Sequence, residues 1–83
     1  MISTGQQIRA ARGMLALTRR QLAVAAGVHE NSIRYWETRA VPSGHPPYAI
    51  ERIEQALAML GVIAFADPYP GVRLSTVDNF DSP

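Results

Sequence analysis

Apolar side chains recur at helical spacing in separate segments of the 83-residue chain. Ile8, Ala11 and Leu15 follow i, i+3 and i+7 in the first segment, so they mark the buried face of a helix. A later segment repeats the pattern with Ile50, Ile53, Leu57 and Leu60. With two shorter segments between them, the pattern predicts four helices, over residues 4–16, 19–26, 30–37 and 47–60.

Short polar residues and glycines mark where these helices begin and end. Ser3 or Thr4 is placed to cap the first helix and Thr18 the second, because a hydroxyl oxygen accepts a hydrogen bond from the free N–H groups of a first turn. Gly27 and Gly61 follow the second and fourth helices, where the left-handed backbone of a C-terminal cap favours glycine. Residues 40–45 have the composition of a loop.

The period of the pattern changes after residue 61. Residues 62–65 form a short apolar run of β-forming side chains, residues 67–71 have turn composition, and residues 72–77 alternate apolar and polar as far as Ser75. We predict a β-hairpin over 62–77 and a flexible polar tail over 78–83. The predicted fold class is mainly α, with a four-helix domain over residues 1–61 followed by this C-terminal β-hairpin.

Composition excludes several kinds of protein. The chain has no cysteine, and its two histidines do not lie in a cluster with metal-ligand spacing, so we expect no disulfide, no metal and no cofactor. It has no Ser/His/Asp set and no glycine-rich phosphate loop, so we do not expect an enzyme. Residues 1–5 lack the features of a signal peptide, and no apolar run approaches the roughly 20 residues that span a bilayer. We therefore expect a cytoplasmic protein without membrane contact.

The formal net charge of +1 hides an uneven distribution. Residues 1–45 contain six arginines and two glutamates, whereas residues 46–83 contain two arginines and five acidic residues. Every basic residue is an arginine, whose planar guanidinium suits phosphate and guanine. The basic N-terminal part indicates a surface for a polyanion, with a chance clustering of solvated charges as the alternative.

Residues 19–38 combine two short helices around one glycine. Ala23 is small enough to let the helices approach each other closely, and Gly27 lies in the tight turn between them. Five apolar side chains are spaced to form the interior: Leu22, Ala26, Val28, Ile33 and Trp36. The opposite face of the third helix carries Glu30, Asn31, Arg34 and Tyr35. This outward face is polar and contains side chains that suit the edges of DNA bases.

This frame resembles the lambda-repressor-like, Cro/C1-type helix-turn-helix family, also called the XRE family. The likeness covers about residues 5–61, and it includes the Ala23 and Gly27 positions, the segment Ile8-Arg9-Ala10-Ala11-Arg12 and Trp36-Glu37. It implies a sequence-specific transcriptional regulator, a repressor, that binds double-stranded DNA and reads the major groove with helix 30–37. It further implies a homodimer on a palindromic operator, and a bacterial or phage protein that is associated with the nucleoid and often belongs to a mobile genetic element.

The resemblance also implies roles for individual side chains. Arg19, the first motif residue, is expected at a backbone phosphate or at the edge of the groove. Asn31 and Arg34 suit adenine and guanine edges, whereas Glu30 either accepts from cytosine or only favours the helix dipole. Tyr35 is expected to contact a sugar, a thymine methyl or a phosphate, with a packed surface ring as the alternative. The remaining predicted DNA-binding residues are Arg20, His29, Ser32 and Arg39.

A second set of residues is implied to be structural. Arg12 and Glu37 correspond to the family's ion pair between the first helix and the end of the third, and Trp36 belongs to the core with Ala23 and Gly27. The chain also departs from the family. Arg39 stands where a glycine usually follows the third helix, and it is a candidate phosphate contact from the loop. His29 replaces a serine or threonine and either caps the helix or donates to phosphate, which would make binding mildly sensitive to pH.

The hairpin takes the place of the family's usual fifth helix, and it needs a surface to pack on because an isolated two-stranded hairpin is marginally stable. Two alternatives stay open: packing on the first and fourth helices, or pairing with a second subunit. We predict a homodimer interface that contains Ile63, Phe65, Val72 and Leu74. A different function class also stays open, namely a protein-interaction module such as an antitoxin or antirepressor that binds a protein partner through its C-terminal part.

Overall fold

A computed structural model describes residues 1–75, which form four helices followed by a two-stranded antiparallel sheet. The elements are α1 Gly5–Leu15, α2 Arg19–Ala26, α3 Glu30–Glu37, α4 Tyr48–Met59, β1 Val62–Phe65 and β2 Gly71–Leu74. The prediction of a mainly helical chain with a C-terminal hairpin is confirmed. The predicted tail, 78–83, and residues 76–77 of the predicted hairpin lie outside the described residues. Between residues 1 and 75, no helix has the length and apolar character needed to cross a membrane.

Local hydrogen bonds explain where α2 and α3 begin and end. Thr18 and Gln21 form a capping box, in which Thr18 Oγ1 accepts from the Gln21 N–H at 3.0 Å and Gln21 Oε1 accepts from the Thr18 N–H at 2.9 Å. Gly27 ends α2 with φ 68°, in the left-handed region. Two residues later, His29 Nδ1 accepts from the Asn31 N–H at 3.1 Å and caps α3.

The C-terminus of α3 closes without a left-handed residue. Thr38, which follows the helix, has φ −111° and ψ 13°. The Arg39 side chain folds back instead, and its Nη1 donates to the Tyr35 carbonyl at 2.8 Å. A side-chain donor therefore satisfies a carbonyl that a glycine-based cap usually satisfies through the backbone.

The core lies between the helices and the inner face of the hairpin. Its fully buried large apolar side chains are Ile2, Ile8, Leu22, Ile33, Ile50, Ile53, Leu57 and Val62. The predicted core positions are buried with four differences in degree, the first of which is Leu15, half-buried at the end of α1. Trp36 and Val28 are half-buried and pack against the core from outside, and Leu60 is 44 % exposed. α4 ends at Met59, one residue earlier than predicted, and Leu60 is its C-cap residue.

The hairpin packs on its own chain. Residues Val62 and Ala64 of β1 pair with Leu74 and Val72 of β2, so these four side chains share one face of the sheet. Val62 and Ala64 are buried, and their partners pack against the core. β1 contacts α4, and β2 contacts α1. Val72 and Leu74, two of the residues predicted for a dimer interface, are half-buried against the core of their own chain.

Gln7 joins α1 to the hairpin, and the sequence pattern did not predict this contact. Its side chain is buried, with 3 % of the residue exposed. Oε1 accepts from the N–H groups of Ser3 at 2.7 Å and Thr4 at 3.0 Å, while Nε2 donates to the carbonyls of Phe65 at 2.7 Å and Gly71 at 2.9 Å. All of these partners are backbone groups.

The first residue of α1 lies directly against the end of α3. A Cβ at Gly5 would collide with the Trp36 carbonyl oxygen and with the Glu37 backbone. The Gly5 N–H also donates to the Arg39 carbonyl at 2.8 Å. Only glycine allows this approach, which brings α1 close to the C-terminal end of α3.

Candidate nucleic-acid interface

α3 has one buried side and one exposed side. Ile33 and Glu37, four residues apart, are buried. Asn31, Arg34 and Tyr35 are exposed on the remaining surface of the helix. The other predicted residues of this helix, Glu30 and Ser32, are half-buried. The exposed face thus carries an amide, a guanidinium and a phenol, all of which hydrogen-bond to base edges or phosphates.

The buried side of α3 packs against two other helices. α3 contacts both α2 and α1. Ala23 and Leu22 of α2 are buried beside Ile33 in one core cluster. Small residues at a helix crossing permit close approach, so α2 and α3 pack against each other across the three residues of the 27–29 turn.

Arg52 of α4 stabilises that turn, and sequence reasoning missed it. Its Nε donates to the Ala26 carbonyl at the end of α2, at 2.9 Å. A Cβ at position 27 would lie 2.6 Å from Arg52 Nη2, so Gly27 also leaves room for this guanidinium. A cation at a helix C-terminus is electrostatically favourable. The available signal was only an arginine within an acidic part of the chain, which does not indicate its partner.

Three helices meet at a buried ion cluster of Glu37, Arg12 and Arg19. The Glu37 side chain is 0 % exposed. Its Oε2 accepts from Arg12 Nε at 2.6 Å, and its Oε1 accepts from Arg12 Nη2 at 3.3 Å and from Arg19 Nε at 2.8 Å. The ion pair between Arg12 and Glu37 that the sequence predicts is therefore present, and Arg19 is an unexpected third member.

The two arginines determine the ionisation of Glu37. Burial by itself raises the pKa of this carboxyl, but the hydrogen bonds and positive charges of Arg12 and Arg19 outweigh burial and hold the pKa below its ordinary value. Arg12 also donates from Nη1 to the Leu17 carbonyl at 3.0 Å. The carboxylate is thus charged, paired and fully hydrogen-bonded inside the helical region.

An arginine stacks on a tyrosine at the C-terminal end of α3. Arg39 Cζ lies 3.6 Å from the centroid of the Tyr35 ring, close enough for a cation–π interaction. The Tyr35 ring also meets the Trp36 ring edge-on, with centroids 4.9 Å apart. Tyr35 is 49 % exposed, so this packing orients the ring and leaves much of it accessible. Arg39 is exposed as well as engaged in ending the helix.

The remaining predicted contacts lie at the surface near the starts of α2 and α3. Arg20 is exposed on α2. His29 is exposed, and because its Nδ1 caps α3, Nε2 is the ring nitrogen left to donate to an external group. Across residues 1–75 there is no group of three or more histidine, aspartate and glutamate side chains that would hold a metal ion.

No protein-family model matches the chain, and no curated protein matches it in sequence. The functional interpretation therefore depends on the geometry and chemistry of the residues described above.

Proposed function

We propose that this chain is a sequence-specific DNA-binding transcriptional regulator of the lambda-repressor-like helix-turn-helix type, a repressor, with α3 as its recognition helix. The observation that carries the proposal is the exposed face of α3, where Asn31, Arg34 and Tyr35 lie opposite the buried Ile33 and Glu37. The major groove of B-DNA admits one helix and displays donors and acceptors that amide and guanidinium groups pair with.

Arginines outside this face support the proposal. Arg19 and Arg20 begin α2, and Arg39 follows α3. Contacts to phosphates set the register and orientation of a protein on DNA, while contacts to base edges select the sequence. We assign these three arginines to phosphates and the exposed face of α3 to bases.

The proposed regulator acts as a homodimer through the hairpin. The Ser75 N–H donates to the Gly61 carbonyl at 2.8 Å, and hydrogen-bonded pairs alternate along an antiparallel ladder. The N–H and C=O groups of Val72 and Leu74 therefore point away from β1, which makes the other side of β2 an edge for a second strand. Ile63 and Phe65 lie on the outer face of the sheet, and Ile63 is 36 % exposed.

A second candidate function is a protein-interaction module, as in an antitoxin or antirepressor. Large apolar side chains are exposed between the end of α4 and β1, with Met59 90 %, Leu60 44 % and Ile63 36 % exposed. Exposed apolar side chains that lie close together favour a protein partner. This candidate is compatible with DNA binding by the same chain.

A salt titration on random-sequence duplex DNA tests DNA binding. We expect binding at low salt and a steep loss of affinity as salt rises. The slope of the logarithm of the binding constant against the logarithm of the salt concentration should be about −0.9 for each phosphate contacted. Selection of bound sites from random DNA should then recover a palindrome. Failure of the protein to bind duplex at low salt would remove the proposal and leave the protein-interaction module.

The variants Arg34→Gln and Arg73→Gln separate base reading from general charge. Both arginines are exposed, but Arg73 lies on β2, away from the recognition helix. We expect Arg34→Gln to relax the preference at one base pair of each half-site by about 1–3 kcal/mol. Arg73→Gln should leave the selected sequence unchanged, and equal effects of the two substitutions would contradict the assignment of α3.

Light scattering tests the dimer. The wild-type chain should have the mass of a dimer at micromolar concentration, and Ile63→Arg should convert it to a folded monomer, because a charge on the outer face of the hairpin opposes burial there. A wild-type monomer, both free and on DNA, would contradict the proposed interface.

A further inference from the structure

Glu37 is buried, yet one of its two partners lies partly at the surface. Arg12 shares the carboxylate within the helical region and is 20 % exposed, whereas the Arg19 side chain is 41 % exposed. The buried charge at the end of α3 is therefore connected to a basic group at the start of α2. Both arginines stabilise the charged carboxylate, and Arg19 is the more exposed of the two.

The atoms used in this contact leave part of Arg19 available. Its hydrogen bond to Glu37 Oε1 runs from Nε, at 2.8 Å. Within residues 1–75, the Nη1 and Nη2 groups of Arg19 have no hydrogen-bond partner. A guanidinium is a rigid planar fork, so fixing Nε also fixes the direction of the two Nη groups. The end of the side chain is thus held in one orientation before any ligand arrives.

We propose that Glu37 is a positioning residue, whose buried carboxylate orients the Arg19 guanidinium so that Nη1 and Nη2 bind a DNA phosphate. This inference depends on the proposed DNA-binding function and adds a specific task for a residue that does not itself touch DNA. The physical benefit is preorganisation, because a long side chain that is already ordered loses less rotamer freedom when it binds. A carboxylate that is fully buried also cannot compete with the phosphate by direct contact.

Lysine at position 19 distinguishes positioning from simple charge. Arg19→Lys keeps the positive charge and Glu37, but an ammonium is a compact point charge without the rigid plane that directs separate donors to the carboxylate and to the phosphate. We expect Arg19→Lys to weaken binding to duplex about tenfold, nearly as much as Arg19→Gln, because one charge-assisted hydrogen-bond pair is lost. Arg9→Lys, at an exposed arginine of α1 that is assigned neither to DNA nor to the dimer, is the matched control and should stay within about twofold of wild type.

A double-substitution cycle then tests Glu37 directly. Glu37→Gln should weaken DNA binding in the wild-type background but have almost no further effect in the Arg19→Gln background, with folding checked by circular dichroism. The Nε–H signal of Arg19 in the free protein gives an independent readout by NMR. It should exchange slowly with water, unlike the Nε–H of Arg34.

The outcomes separate this inference from the proposed function. If wild type binds duplex and Arg19→Lys binds equally tightly with the same salt dependence, positioning by Glu37 is wrong while DNA binding stands. If Glu37→Gln does not fold, the Arg19→Lys comparison and the NMR signal still decide the question, because both retain Glu37. If wild type does not bind duplex at low salt, both the function and the inference are overturned.

Discussion

The helical region and the hairpin are each held by one buried polar side chain, and the two side chains differ in kind. Among residues 1–75, the buried polar or charged residues are Glu37, 1 % exposed, and Gln7, 3 % exposed. Glu37 joins α1, α2 and α3 through two arginines. Gln7 joins α1 to both strands through backbone carbonyls.

Gln7 and Glu37 differ in the groups to which they hydrogen-bond. Apart from the Ser3 hydroxyl, which donates to Oε1 at 3.4 Å, the partners of Gln7 are backbone groups, so this amide attaches the hairpin to α1. A buried carboxylate requires cationic partners, and arginine is long enough to reach from the interior to the surface. In the helical region, Glu37 therefore serves both the stability of the fold and the proposed DNA contact. In the hairpin region, Gln7 serves only the stability of the fold.

The largest effect is expected from Glu37→Gln. Removing this carboxylate leaves Arg12 poorly compensated in a partly buried position, and such a loss typically costs about 3–5 kcal/mol. The free energy of unfolding, measured by urea denaturation, gives the value. Glu51→Gln, at an exposed position of α4, is the control and should change stability by about 0.5 kcal/mol. Similar losses for the two variants would show that the buried cluster does not stabilise the fold.

A smaller and more local effect is expected from Gln7→Ala. The Phe65 and Gly71 carbonyls lose a donor, which costs about 2 kcal/mol. Hydrogen exchange should rise first at the hairpin amides and less in α2 and α3. Gln6→Ala is a matched control, because Gln6 is exposed on the same helix. Uniformly faster exchange over the whole chain would mean that the hairpin and the helices unfold as one unit.

Val62 and Ile63 test the two faces of the hairpin. Val62→Ala removes apolar volume from the core and should reduce stability by about 1.5 kcal/mol. Ile63→Ala should change the stability of the monomer by about 0.5 kcal/mol or less, yet weaken self-association in sedimentation experiments. The reverse order of stabilities would place the core on the other face of the sheet.

The ionisation of Glu37 should have the smallest effect on the free energy of unfolding near neutral pH. The effect should grow as the pH falls. The pKa of Glu37 is lower in the folded chain than its ordinary value, so the folded state binds fewer protons there than the unfolded chain. Its contribution to stability is complete above the unfolded pKa, about 4.3 for glutamate, and is lost as pH falls through the folded pKa. Urea denaturation against pH should show a steeper acid loss for wild type than for Glu37→Gln.

Signals between neighbouring residues predicted much of the helical region. The bounds of α2 and α3 agree with the predicted ranges, because Thr18, Gly27 and His29 act on backbone groups only a few residues away. The hairpin was also predicted, since its strands differ from the helices in period and are separated by a turn. For the ion pair between Arg12 and Glu37, the family resemblance supplied what local pattern does not contain.

Apart from the Arg12–Glu37 pair, contacts between distant residues were not predicted. Gln7 bonds to groups 58 and 64 residues away, and Arg52 reaches a carbonyl 26 residues before it. In the sequence, both are ordinary polar residues within a predicted helix. Arg19 was assigned to phosphate alone, since nothing in its neighbourhood indicates that its Nε faces a buried carboxylate.

The sequence by itself determined the four helices, their caps, the hairpin and the polar outward face of α3, because period, capping and turn chemistry act over a few residues. Only the tertiary structure decided that the hairpin packs on α1 and α4, that Gly5 lies against the end of α3, and that Glu37 takes a second arginine. Each of these depends on where a helix surface lies in three dimensions. The residues that face such a surface are placed there by the packing of the whole core.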